Sequence, residues 1–203
     1  MKLRFSPTSP YVRKVTVTAI ELGLDGRIER VPTNTQDPKS DHAEDNPLGK
    51  VPALVTDEGE RLYDSPVICE HLDSLADGPG LFPPAGAERW RALRRQALAD
   101  GILDAAILKM LETKRRPEAL RWDGWIRLQS GKIAKALDQL EREADGLAGP
   151  LTIGEIAVGC ALGYLDFRFP AEDWGATRPH LAAWYEGFAQ RPSMQQTVPR
   201  EPA

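Results

Sequence analysis

The stretch Leu3-Arg4-Phe5-Ser6-Pro7-Thr8-Ser9-Pro10-Tyr11-Val12-Arg13-Lys14 decides how the chain begins. Leu3 and Phe5 alternate with Lys2 and Arg4, the period of a half-buried strand. Ser9-Pro10 then offers a capping hydroxyl followed by proline at the first helical position. Val12, Val15, Ala19 and Ile20 fall on one helical face, and Gly23 is placed to stop the helix. A strand, a short polar turn and a helix are therefore expected within the first two dozen residues.

Outward from there the alternation continues. Ile28 to Val31 is a second candidate strand, and residues 32–49, rich in Pro, Asn and Asp, read as a surface loop with at most one helical turn. Ala53-Leu54-Val55-Thr56 and Arg61-Leu62-Tyr63 are two strands of a hairpin around Asp57-Glu58-Gly59-Glu60. Ser65-Pro66 repeats the hydroxyl-proline helix start ahead of Ile68, Cys69, Leu72 and Leu75. The order is β-α-β, then β-β-α. Asp77-Gly78-Pro79-Gly80 and Pro83-Pro84 punctuate the chain, and beyond Ala87 only helical periodicity is found. Ile102, Leu103, Ile107 and Leu111 form one face, Ile133, Leu137, Leu140 and Ala144 another, and Leu181, Trp184 and Phe188 a third. Thr152-Ile153-Gly154-Glu155 matches a capping box. An α/β unit over 1–78, a linker at 79–86 and an all-helical unit over 87–203 are the expected organisation.

Composition narrows the function classes. The 203 residues carry a net charge of −4, which argues against nucleic acid as a partner, since phosphate binding needs a basic face. The basic runs at 89–95 and 114–116 have acidic neighbours and read as solvated helix faces. The longest apolar stretch, 156–165, is far short of the ~20 residues of a spanning helix, and the N-terminus lacks the apolar core of an export signal, so a soluble cytoplasmic protein without a membrane partner is expected. Cys69 and Cys160 lie among apolar residues, as reduced buried thiols do. His42, His71 and His180 are scattered without metal spacing, so no metal is expected. The five tryptophans fall in the helical half, where core packing is their default.

Three local constellations carry possible chemistry. Ser9 sits where a helix N-terminus presents unpaired N–H groups and partial positive charge, a setting that favours an anion such as a thiolate; taken alone, capping explains Ser9-Pro10 completely and is the preferred reading. In Asn46-Pro47-Leu48-Gly49-Lys50-Val51-Pro52-Ala53, Pro52 precedes a strand. A cis bond there would leave the Val51 N–H and C=O free to pair with an extended peptide; an ordinary strand entry is the alternative. Asp64-Ser65-Pro66 can receive an ammonium on the carboxylate and a carboxylate on the Ser65 N–H and hydroxyl, the two charges of an α-amino acid end, or act only as a cap.

In this order, and followed by an all-helical half, the three resemble the glutathione transferase superfamily over nearly the whole chain. Leu151-Thr152-Ile153-Gly154-Glu155-Ile156-Ala157 resembles that family's helix-capping segment, with Glu155 where aspartate is usual, and Arg191-Pro192-Ser193 its closing motif. The resemblance implies a thioredoxin-like N-terminal domain and a helical C-terminal domain. It also implies glutathione as co-substrate, a small electrophile as second substrate, and a homodimer engaged in detoxification. It assigns Ser9 the catalytic role, donating a hydrogen bond to the thiolate, with Thr8 as the neighbouring donor. Lys50, Val51, Pro52, Asp64 and Ser65 become glutathione-binding, and Asp100 a residue set against the neighbouring subunit's glutathione or else on a solvated face. Because Ser9 and Val12 stand where redox relatives place cysteines, no thiol is available for a mixed disulfide. Glutathione-dependent peroxide or disulfide reduction and a non-enzymatic scaffold of the same fold are the competing expectations.

Overall fold

The first strand forms where alternation places it. In the computed structural model, which describes residues 1–201, β1 (Lys2–Phe5) buries Leu3 in the middle of a four-stranded sheet. Strand order is β2-β1-β3-β4, with β2 (Glu29–Pro32) parallel to β1 and both β3 (Leu54–Val55) and β4 (Arg61–Leu62) antiparallel to their neighbours. β2 starts one residue later than expected, and Ile28 is buried just ahead of it. The hairpin strands are shorter than predicted because Thr56 already belongs to the turn. Its N–H bonds the Glu60 carbonyl at 2.9 Å, and Gly59 takes a φ of 89°, which glycine adopts without a Cβ penalty. The polar loop holds one helical turn, α2 (His42–Asp45), tied to the sheet by Arg4 and Arg61 on the Asp45 carboxylate at 2.6 and 3.1 Å.

α1 (Pro10–Glu21) departs from its expected single apolar face. It is buried almost all round, including Arg13, Lys14, Thr16 and Thr18, while Ile20 is only partly covered. One side meets the sheet and α3 (Ser65–Ser74), and the other meets α6 (Ile153–Arg168) of the helical half. The apolar run at 156–165 is the body of α6, whose residues Ile153 to Leu165 are all buried between α1 and α4 (Gly86–Met110). No helix among the described residues is long and apolar enough to cross a membrane. Close approach explains Gly159 and Gly163, where a Cβ would collide with Phe188 and with Arg13 and Tyr185 respectively. Thr152 and Glu155 make the expected capping box: the Thr152 hydroxyl accepts the Gly154 N–H at 3.1 Å, and the Thr152 N–H donates to Glu155 at 2.9 Å.

α5 (Asp123–Arg142), α7 (Pro179–Phe188) and α8 (Pro192–Gln196) complete the helical half. Ile133, Leu137, Leu140 and Ala144 are buried as expected. Leu111 is not, being 40% exposed, because α4 passes into a π-helical turn (Leu111–Arg115) in which Arg116 N–H reaches the Leu111 carbonyl and the 3.6 period is lost. Trp90 and Trp122 also break expectation, 69% and 65% exposed rather than packed. Nor is 89–95 wholly solvated: Arg95 is buried, with Nη1 2.5 Å from Glu155. The segment between α3 and α4 is anchored rather than free. Leu81 and Phe82 are buried and donate their N–H groups to Asp73, and the Leu81 carbonyl accepts the Ile153 N–H at 2.9 Å. A single core cluster therefore joins the sheet, α1 and α3 to Ile156, Cys160, Phe188 and Met194.

Candidate functional site

The sheet brings the three constellations to one end. β3 runs antiparallel to β1, with Arg4 N–H on the Ala53 carbonyl at 2.9 Å, so the loop leaving β1 lies beside the chain entering β3. β4 returns antiparallel, with Leu62 opposite Leu54, so Asp64 and the start of α3 arrive at the same end.

Ser9 is the N-cap of α1, with extended backbone (φ −81°, ψ 120°), and its Oγ accepts the Val12 N–H at 3.3 Å. The capping reading is thus realised, and it does not use up the group. Capping draws on a lone pair, whereas the hydroxyl proton stays free to donate toward an anion at the positive end of the helix. Thr8 lies one residue off the cap, its Oγ1 3.3 Å from Ser6 Oγ.

The Val51–Pro52 bond is cis, as is Tyr63–Asp64. Val51 is partly buried, and among the described residues its N–H and C=O make no hydrogen bond, which leaves one donor and one acceptor for an added extended segment. Asn46, almost fully buried, shapes this loop: its amide donates to the Lys50 carbonyl at 3.0 Å and its Oδ1 accepts the Leu48 N–H at 3.0 Å. The Lys50 side chain is exposed at the mouth. Asp64 occupies the N-cap of α3 but makes no side-chain cap bond and stays exposed, while Ser65 behind it is buried.

Asp100 lies on α4, with both carboxylate oxygens 2.7 Å from Nζ of Lys14, a side chain with no exposed surface. It is therefore not on a solvated face. Burial raises its pKa, opposed by Lys14 and reinforced by the nearby negative charges of Asp104 and Asp64. Beside it, the Tyr11 hydroxyl donates to Asp104, and burial together with that carboxylate pushes the Tyr11 pKa far up. Tyr11 accordingly stays a neutral donor occupied by Asp104. The Lys14–Asp100 and Tyr11–Asp104 pairs escaped the sequence reading because their partners are 86 and 93 residues apart. The one-turn spacing of Asp100 and Asp104 on α4 is the local signal that could have drawn attention to them. Burial lifts both Cys69 and Cys160 to about 11, which removes them as nucleophiles at neutral pH.

Two of the cavities formed by the described residues differ in their relation to the site. One of about 190 Å³ lies within the helical half between α5, the end of α6 and the chain after it, and contains none of the predicted site residues. The other, about 250 Å³, is walled by Ser9, Arg13, Arg30 and the chain following α8; Val51, Asp64 and Ser65 do not line it.

A thioredoxin-like sheet with a free backbone segment and a hydroxyl at a helix N-terminus, joined to a helical domain, defines the class of fold. The chain belongs to the glutathione S-transferase family: its N-terminal domain description matches residues 8–75 and its C-terminal domain description residues 123–187. Over 98% of both chains it is 39% identical to the uncharacterized GST-like protein YibF of Escherichia coli. It is 29% identical to glutathione S-transferase 3 of Zea mays, over 98% of this chain and 93% of that one. A crystal structure of a glutathione transferase family member from Pseudomonas fluorescens with bound glutathione superposes at a TM-score of 0.94 with 45% identity, covering 98% and 99% of the two chains. A second structure from that organism, with bound S-(propanoic acid)-glutathione, gives 0.92 and 44%, covering 99% and 100%.

Proposed function

We propose that this chain is a glutathione transferase in which Ser9 steadies the glutathione thiolate for attack on a small electrophile. The observation that carries this reading is the meeting, at one end of the sheet, of a free hydroxyl proton at a helix N-terminus with an unpaired Val51 backbone. In this arrangement Val51 N–H and C=O pair with the cysteinyl backbone of glutathione. Asp64 takes the γ-glutamyl ammonium, Ser65 its carboxylate, and Lys50 the glycyl carboxylate. Thr8 and Pro52 wall the sulfur. The Asp100 carboxylate is held by Lys14, which leaves it a supporting charge near Asp64.

The protein's task is then modest: ionise a thiol and place it beside an acceptor. The sulfur bonds to the electrophilic carbon, and a leaving group departs with its bonding pair. With a conjugated double bond the π pair shifts instead and takes a proton from water. The second Pseudomonas fluorescens structure holds S-(propanoic acid)-glutathione, a thioether of glutathione. Both cysteines are buried, with thiols raised to about 11, so disulfide exchange through the chain's own sulfur is disfavoured.

The same reading takes 1–78 as the glutathione-binding domain and 87–203 as the helical domain, of which the last two residues lie outside the described ones. It places the protein in the cytoplasm as a homodimer engaged in detoxification. Val67 on α3 and Trp90 on α4, 47% and 69% exposed, supply apolar surface for a two-fold contact. The test is retention on immobilised glutathione together with chloride release from a chlorodinitrobenzene above the uncatalysed rate. Failure of both refutes the proposal, and retention without turnover favours a binding scaffold.

A further inference from the structure

The cavity that Ser9 walls is unusual for an acidic chain. Of the residues around its roughly 250 Å³ none is aspartate or glutamate, while Arg13, Arg30 and Arg200 are all present, in a protein of net charge −4. Arg13 is 8% exposed and has no carboxylate within ion-pair distance among the described residues. Its Nη2 donates to the Met194 carbonyl at 3.1 Å and its Nε to Thr197 Oγ1 at 3.4 Å, while Nη1, turned toward Gly163 and Tyr185, is buried without a hydrogen bond. Asp166 on α6 feels the Arg13 charge and accepts the Trp174 Nε1–H at 2.7 Å, which leaves its own negative charge in place. Asp166 therefore offsets part of the Arg13 charge from the α6 side, while the residues that line the cavity supply no acid to set against Arg13, Arg30 and Arg200.

Two further cations reach the opening. Arg30 is shared with Asp25 at 2.6 Å and lies over the Phe5 ring, while exposed Arg200 has no carboxylate partner among the described residues. The N-terminus of α1 adds partial positive charge at Ser9, the one proposed catalytic residue that also walls this space.

We propose that the electrophile conjugated beside Ser9 carries a compact anionic group, a carboxylate above all, which this cavity receives. The inference rests on the transferase reading and names its acceptor class. The cavity falls below the ~300–1,000 Å³ of sites for drug-sized ligands, so the acceptor is a small acid rather than an extended apolar molecule. Arg200 supplies the direct contact at the rim and Arg13 the field behind it. Chemistry at the carbon is unchanged: the sulfur–carbon bond forms, the leaving group departs with its pair, and the anionic group is a spectator that orients the acceptor.

The test titrates the protein by calorimetry with glutathione, S-carboxymethylglutathione and S-carbamoylmethylglutathione, the last two nearly isosteric and differing in charge. The acid conjugate is expected to bind about tenfold more tightly than the amide, the size of a charge-assisted bond. Arg200→Gln and Arg30→Gln together should abolish that preference, with glutathione affinity reporting that the variant is folded. Equal affinity of the two conjugates in the wild type, or a preference that survives both substitutions, overturns the anionic-acceptor assignment while the transferase reading stands. If glutathione itself does not bind the wild type, both fall.

Discussion

Replacing Ser9 by alanine separates two jobs done by one oxygen. As a cap, Ser9 Oγ accepts the Val12 N–H at 3.3 Å, a long bond, so its loss costs about 1 kcal/mol and lowers the melting temperature by about 2–4 °C for a chain of this size. As a donor to a thiolate it makes a hydrogen bond to a charged group, worth about 1.5–3 kcal/mol, or roughly one to two pKa units. A thiol near ~8.5 when free would then titrate at about 6.5–7.5 on the enzyme and revert toward ~8.5 in Ser9→Ala. The more basic thiolate is also the better nucleophile, so the neutral-pH conjugation rate should fall by only about three- to tenfold. Above about pH 9, where both enzymes hold the thiolate, the variant should equal or exceed the wild type.

The assay is thiolate absorbance of the glutathione complex against pH, paired with pH–rate profiles. Ser9→Asp sharpens it, because a carboxylate caps as well as serine yet repels a thiolate. That variant should keep its melting temperature while raising the thiol pKa further than alanine does. If Ser9→Ala loses stability alone and both variants leave the titration in place, Ser9 is only a cap and the thiolate is held by Thr8 or by backbone N–H groups.

Three other outcomes follow from the same geometry. Ser65→Ala should weaken glutathione binding by about 1–3 kcal/mol in calorimetry, since it removes one charge-assisted bond; unchanged affinity would contradict the γ-glutamyl assignment. Asp100→Asn strands the fully buried Lys14 ammonium and should cost about 3–5 kcal/mol in denaturant unfolding, whereas the double variant Lys14→Met, Asp100→Leu should recover most of it. Equal losses in the single and double variants would show that packing, not the charge pair, matters there. Glu21 is held below the ordinary glutamate value of 4.5 chiefly by Arg191, so its stabilising effect is complete above about pH 4.5 and is lost as pH falls through its lower folded value. Melting temperature followed down to about pH 3 should drop more steeply in the wild type than in Glu21→Gln, and parallel curves would exclude the linkage.

The parts of this molecule that were legible in the sequence are those whose physics is local. Ser9-Pro10 and Thr152-Glu155 announce helix starts because cap and capped group lie within three residues of each other, and Gly59 marks a hairpin because its own φ demands glycine. What the pattern could not carry is the identity of a partner across the fold. Periodicity assigned α1 one apolar face, yet the helix is enclosed by sheet, α3 and α6, so Arg13, Lys14, Thr16 and Thr18 are buried as well and each polar end must find something distant. Lys14 finds Asp100, Arg95 finds Glu155, and Arg13 finds only the Met194 carbonyl and the Thr197 hydroxyl. The first two arrangements neutralise a charge, and a sequence reader sees in them only a basic and an acidic residue on helices far apart. The third has no direct ion pair among the described residues, and Asp166 acts on it only at longer range. No acid lines the cavity that Arg13, Arg30 and Arg200 share with Ser9, so an anion that balances them there comes from outside the chain.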